Sequence, residues 1–162
     1  IGVRDLPGNA VHHQIKGIHD LLVAVQTYPD ADILGVLVQE MCTNGREVIL
    51  GMNRDPHFGP LLMFGMGGVT VEVLKDVAFY LAPITASEAK EMLVRTKTYQ
   101  ILKGFRGKEG VDIDAIAEGL QRLSQLVTAF PQIQEMDINP FIVGAEGATP
   151  IAVDARISVE EI

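Results

Sequence analysis

Two short stretches near the C-terminal end can be reconciled in only one simple way. Asp137-Ile138-Asn139-Pro140 is followed, after a glycine-containing turn, by Ala152-Val153-Asp154-Ala155-Arg156. Both have the alternation of half-buried strands, so together they predict a β-hairpin. Side chains alternate along a strand, which places Asp137 with Asn139 on one face and Asp154 with Arg156 on one face. A turn centred on Glu146-Gly147 opposes Asn139 to Asp154 and Asp137 to Arg156, because both pairs have the index sum 293. That register sets an opposite-charge pair beside a pair of oxygen donors. Amide and carboxylate oxygens suit a hard cation such as Mg²⁺, which usually takes phosphate oxygens as well. A solvated strand end is the plainer reading of the same residues.

The rest of the chain is apolar enough to support such a hairpin on a proper core. Of 162 residues, 48% are hydrophobic. That leaves apolar surface for a partner or a neighbouring segment. A net charge of −8 argues against a nucleic-acid or anionic-membrane surface. Cys42 is the only cysteine, so no internal disulfide can form, and a reducing, cytoplasmic setting is expected. No apolar run approaches the roughly 18 residues that span a bilayer. The start, Ile1-Gly2-Val3-Arg4-Asp5, has neither an initiator Met nor a signal peptide and reads as the interior of a longer protein.

Pattern and punctuation then divide the chain. Ile15, Ile18, Leu22 and Val25 space a helix that ends near Pro29, and the apolar run from Ile33 to Met41 predicts a buried strand. Thr43-Asn44-Gly45 marks a turn, and Glu47 to Met52 a second strand. Asn53 to Pro60, with two prolines, reads as a loop. Leu61 to Phe64 is a further strand running into Gly65-Met66-Gly67-Gly68. Val69 to Leu74 and Val77 to Leu81 read as short strands. Thr85-Ala86-Ser87-Glu88 has capping-box chemistry and opens a helix to about Lys97. Gly104 to Lys108 is a loop. Asp112 to Phe130 is the clearest amphipathic helix, with Ile113, Ile116, Leu120, Leu123 and Val127 on one face. Strands and helices do not alternate, so the expected class is α+β with a largely antiparallel sheet flanked by helices. Residues 1–162 form one expected structural domain.

As an ordered set, these segments resemble the ATP-grasp domain of the NDP-forming acyl-CoA synthetases. The likeness is nearest to the acetate–CoA ligase (ADP-forming) β subunits and more distant to succinyl-CoA synthetase β. It rests on residues 35–41, Gly45 to Gly51, Arg54-Asp55-Pro56-His57-Phe58-Gly59-Pro60, Phe64 to Gly68, Val71 to Val77, Asp137 to Pro140 and Val153 to Arg156. It covers about four-fifths of the chain, from about residue 30 onward. The family's preceding jaw, with a phosphate-contacting lysine and a Gly-rich segment, is not recognisable in residues 1–29, so the chain reads as the C-terminal part of an ATP-grasp unit.

The resemblance implies a nucleotide held between antiparallel sheets and the reaction acyl-CoA + ADP + phosphate ⇌ acid + CoA + ATP. The phosphoryl group would pass through a histidine outside this chain. The implied cofactors are Mg²⁺ and ATP or ADP. The implied partner is a CoA-binding α subunit or fused domain, in an oligomer. Asn139 and Asp154 match the family's Mg²⁺ ligands. Asp137 would orient them, and Arg156 either meets a phosphate or neutralises Asp137. Gln39, Glu40 and Met41 fall where the chain passes the adenine, with Glu47 on the face of Glu40. Gly67 and Gly68 would let backbone approach a phosphate, although tight turns use the same residues. Glu72 is a further candidate acid. His57 lies in a Pro/Gly loop and does not match the phosphorylated histidine; His12, His13 and His19 fall on the opening helix. Cys42 has no evident His partner and reads as a turn thiol. The rival readings are a non-catalytic nucleotide-sensing module fused to an acyltransferase, and a carboxylate–amine ligase of the wider ATP-grasp class.

Overall fold

A computed structural model describes residues 2–3, 13–14, 42, 44–67, 76–104, 107 and 109–160. The chain divides into two compact units, Ile1–Cys42 and Thr43–Ile162. The described part of the first is a two-stranded antiparallel sheet, β1 (Gly2–Val3) against β2 (His13–Gln14). The expected helix near 15–25 and the strand 33–41 lie outside the described residues, as does the expected strand 69–74.

The second unit is built on a six-stranded sheet made of β3 (Arg46–Asp55), β4 (Gly59–Met66), β5 (Val77–Leu81), β6 (Ile133–Val143), β7 (Ile151–Ala152) and β8 (Ala155–Val159). The order is β5-β4-β3-β6, with β7 and β8 following each other along the outer side of β6, and all pairings are antiparallel. The α+β, antiparallel expectation is therefore met. Three helices cover one face: α1 (Ala86–Val94), α2 (Thr98–Leu102) and α3 (Ile113–Ala129). Val48, Leu50 and Met52 of β3 point to that face. They meet Leu62 and Phe64 of β4 and Ile116, Leu120, Leu123 and Val127 of α3, all buried. Each such aliphatic side chain, fully withdrawn from water, contributes about 1.5–3 kcal/mol.

Local chemistry sets the helix ends. Thr85 and Glu88 form the expected capping box in both directions. Asp112 caps α3 by accepting from the Ala115 N–H at 2.9 Å. Its own N–H donates to the Gly144 carbonyl at 2.9 Å, which ties the start of α3 to the end of β6.

Two expectations are corrected. Asn53 to Pro60 is not a loop: β3 continues to Asp55, β4 begins at Gly59, and only residues 56–58 turn. The Asp55 carboxylate accepts from the N–H groups of His57 (2.7 Å) and Phe58 (2.9 Å), and Gly59 takes a φ of +86° to re-enter the sheet. The first helix does not run to Lys97 either. It stops at Val94, and α2 begins at Thr98 because the Asp76 carboxylate captures the N–H groups of Lys97 and Thr98 and the Thr98 hydroxyl.

Candidate functional site

The C-terminal hairpin forms in the expected register. Asp137 is the direct partner of Arg156 and Ile138 of Ala155. The Asn139 N–H donates to the Asp154 carbonyl at 3.0 Å, so these two residues oppose each other as the index sum requires. Gly147, at φ +83°, makes the turn. Beyond Asp154 the partners continue as Phe141 with Ala152 and Ile142 with Ile151.

The sheet order gives these residues neighbours that the hairpin alone does not reveal. On the face away from the helices, one cross-strand row runs Phe79, Met63, Gly51, Asp137, Arg156. The next runs Leu81, Leu61, Asn53, Glu135, Ser158. The β5 end of both rows is apolar and the β8 end is charged or polar. Gly51 in the middle leaves no side chain, and a Cβ there would come within 3.0 Å of Met63 Cε. The result is a groove of about 450 Å³, lined among others by Gly51, Asn53, Met63, Phe79, Asp137 and Arg156. Along β3, this row lies two residues from Ile49, which sits where β6 shifts register beside Asn139-Pro140.

The electrostatics of the charged end are uneven. Partial burial pushes the Asp137 carboxyl up; the positive Arg156 opposes this, and the negative Glu135 and Asp154 add to it. Asp137 and Arg156 face each other without closing into a salt bridge; their attraction is through the field alone. Three carboxylates thus share one stretch of sheet with a single guanidinium, and a cation there would relieve their repulsion. Among the described residues no group of three or more His, Cys, Asp or Glu side chains could hold a metal unaided. The donors that the hairpin opposes are one amide and one carboxylate, which fits a hard cation completed by water and phosphate.

The remaining expected site residues are distributed as follows. Glu47 is exposed on β3, opposite Ile142. Gly67 is buried, and its N–H donates to the Glu47 carbonyl at 2.9 Å. A Cβ on Gly67 would lie 2.9 Å from Glu47 Cβ and 3.0 Å from its carbonyl oxygen. This close approach to β3 gives a structural reason for a glycine here. Gln39, Glu40, Met41, Gly68 and Glu72 lie outside the described residues. Cys42 is a half-buried free thiol. His57 is 84% exposed at its side chain, on the tip of the β3–β4 turn. Gly51, Met63, Phe79 and Glu135 were missed in the sequence; their signal is the alternation of β3, β4, β5 and β6, which needs the strand order before it points anywhere.

The other motif residues serve the fold. Arg54 leans across the helix side: its Nε donates to the Ile133 carbonyl at 2.9 Å and its Nη2 to the Val127 carbonyl at 2.7 Å. This joins the ends of β3, α3 and β6. Burial alone would raise the Asp76 carboxyl. The Thr98 hydroxyl and the backbone N–H groups of Lys97 and Thr98 outweigh it, and the group is held below the usual carboxylate value.

The sheet thus carries helices on one face and, on the other, a groove that is apolar toward β5 and charged or polar toward β8. The chain belongs to the family described as the ATP-grasp domain, whose model matches residues 7–159. It is 54% identical over 147 residues to acetate–CoA ligase [ADP-forming] I of Archaeoglobus fulgidus, covering 90% of this chain and 21% of that protein. It is 50% identical over 129 residues to the beta subunit of acetate–CoA ligase [ADP-forming] I of Pyrococcus furiosus, covering 80% and 55%. Among solved structures, it is similar to the dinucleotide-forming acetyl-coenzyme A synthetase 1 of Ca. Korarchaeum cryptofilum in complex with coenzyme A and Ca-AMPCP. The TM-score is 0.76 at 43% identity, over 88% of this chain and 62% of that one. A second structure of that enzyme, with coenzyme A and Mg-AMPPCP and its phosphohistidine segment pointing towards the nucleotide binding site, gives a TM-score of 0.75 at 36% identity. It covers 98% of this chain and 76% of that one. The chain thus spans about half the length of the beta subunit and about a fifth of the longer ligase. Among the described residues no helix is long and apolar enough to cross a membrane.

Proposed function

We propose that this chain is the C-terminal part of an ATP-grasp unit and forms the cation-holding wall of the nucleotide site in an ADP-forming acyl-CoA synthetase. The reaction is acyl-CoA + ADP + phosphate ⇌ carboxylic acid + CoA + ATP, by way of a phosphohistidine located elsewhere in the assembly. The observation that carries the reading is the hairpin register. It opposes Asn139 to Asp154 and Asp137 to Arg156 on the grooved face. The names of the relatives favour the CoA branch over a carboxylate–amine ligase or a sensing module.

In this reading the Asn139 amide oxygen and the Asp154 carboxylate hold Mg²⁺. When bound, the ion neutralises nucleotide phosphate charge during phosphoryl transfer. Arg156 supplies a guanidinium to a phosphate oxygen or neutralises Asp137 across the strand pair. In this reading Gln39, Glu40, Met41 and Glu47 accept from the base and ribose. Gly67 and Gly68 bring backbone close to the nucleotide. The CoA-binding α part, fused or separate, completes an oligomeric cytoplasmic enzyme.

The test uses the complete synthetase. Asp154→Ala should abolish Mg²⁺-dependent ATP formation from acyl-CoA, ADP and phosphate while leaving the circular dichroism spectrum and melting temperature unchanged. Retained activity with its Mg²⁺ dependence intact would contradict the assignment.

A further inference from the structure

β6 carries one residue more than β3 can pair. Opposed residues of the two strands have the index sum 189 from Arg46–Val143 to Val48–Phe141, and 188 from Leu50–Ile138 to Asn53–Glu135. Ile49 therefore stands opposite both Asn139 and Pro140, a β-bulge on β6. The other arm of the hairpin keeps register across the same place: the sum 293 holds from Phe141–Ala152 to Ile138–Ala155 and on to Glu135–Ser158. Both arms thus carry the extra residue, and they step together where β7 ends and β8 begins. Side-chain direction shows the same step. Ile138 and Phe141 both pack on the helix-side core, with two residues between them instead of one. Ala152, opposite Phe141, lines a cavity on that side with Ile138 and Leu123. Asn139, Pro140, Val153 and Asp154 make up the step. The Asn139 N–H donates to the Asp154 carbonyl and the Val153 N–H to the Pro140 carbonyl, both at 3.0 Å. An unbroken antiparallel ladder gives both bonds to one opposed pair; here two neighbouring pairs make one each. The Asn139 N–H turns toward Asp154, so the next N–H in the alternation would turn toward β3, and Pro140 has none to give.

We propose that this step, held by Pro140, is the device that converges the Asn139 amide and the Asp154 carboxylate on one cation, with Pro140 as a positioning residue. The proposal rests on the metal reading given above and adds what register alone does not supply. On a regular ladder, opposed Cβ atoms stand about 4.5–5.5 Å apart. Octahedral Mg²⁺, at about 2.0–2.1 Å from each ligand, draws neighbouring ligand oxygens to about 3 Å of one another. A bulge bends its strand, increases the local twist and re-aims the side chain it carries. Here both arms of the hairpin bend at the two donors. The place of the step is fixed from β3: Val48 and Leu50, on either side of Ile49, are buried in the core and cannot change register without leaving it. A proline at the bulge keeps β6 from closing the ladder to Ile49.

Deleting Pro140 and Val153 together separates the step from the opposition. The hairpin then pairs with β3 in one unbroken register, the core side chains keep their faces, and Asn139 still opposes Asp154. In the complete synthetase with ADP, electron paramagnetic resonance of free Mn²⁺ gives the Mn²⁺ affinity, and competition gives those of Mg²⁺ and Ca²⁺. The double deletion should weaken Mg²⁺ about tenfold or more. Ca²⁺ accepts flexible geometry and should weaken less, so the preference for Mg²⁺ over Ca²⁺ falls, a change that lost stability by itself would not produce. Pro140→Ala keeps the chain length and should move the preference in the same direction; it decides the matter if circular dichroism shows the deletion variant unfolded. Unchanged affinities and preference in the folded variants overturn the proposal while leaving the metal reading intact. Wild-type Mn²⁺ binding that survives Asp154→Ala overturns the metal reading, and this proposal with it.

Discussion

Arg54→Met removes a guanidinium that links three elements while keeping most of the aliphatic stem. Two hydrogen bonds disappear, to the Ile133 carbonyl at 2.9 Å and the Val127 carbonyl at 2.7 Å. Val127 lies in the last turn of α3, whose final carbonyls have no partner within the helix, and a cation there also complements the helix dipole. Bonds from a charged donor contribute about 1.5–3 kcal/mol each. Arg54 is half-buried, so water recovers part of the loss, and roughly 2–4 kcal/mol is expected. That is a large share of the roughly 5–15 kcal/mol that holds a domain together. Urea denaturation followed by circular dichroism reads it as a lower midpoint at unchanged slope. Arg54→Lys should lose about half as much, because one ammonium cannot span both carbonyls. The groove lies on the opposite face, so nucleotide affinity should not change. A loss below about 0.5 kcal/mol for Arg54→Met would refute the view that this motif arginine is a structural clamp.

Asp76→Asn should destabilise at neutral pH by weakening the three bonds that start α2. The Asp76 carboxyl is held below its ordinary value of 3.8, so its contribution is present above that value and is lost as pH falls through the lower folded one. Melting curves of the two proteins should therefore converge below about pH 4. Gly67→Ala should cost about 1–3 kcal/mol, because the new methyl meets Glu47 Cβ at 2.9 Å and its backbone at 3.0 Å; thermal unfolding reads it. Thr85→Ala should cost about 1 kcal/mol by breaking the capping box, again seen in the unfolding midpoint.

The parts of the fold that were legible in the sequence are those fixed by neighbours. Thr85 with Glu88, the stripe from Ile116 to Val127, and the hairpin register each depend on residues within about one turn or one hairpin. The misread parts depend on distant partners. Pro56 and Pro60 suggested a loop, but Pro56 occupies the turn and Pro60 sits near the start of β4, where its carbonyl accepts from Ala82. The helix break at Arg95–Lys97 comes from Asp76, about twenty residues upstream. In the candidate site, the opposition of Asn139 and Asp154 could be read from index pairing. The groove beside them could not, because Gly51, Met63 and Phe79 reach it only through the order β5-β4-β3-β6.

In the proposed site Asn139 and Asp154 hold the divalent cation of a bound nucleotide. Substituting Mn²⁺ for Mg²⁺ in the presence of ADP and recording ¹H–¹⁵N spectra tests it directly. Paramagnetic broadening should centre on the amides of Asn139 and Asp154, extend to Ile49, Asp137 and Arg156, and vanish in Asp154→Ala. Broadening centred elsewhere in the sheet, or unchanged in that variant, would contradict it.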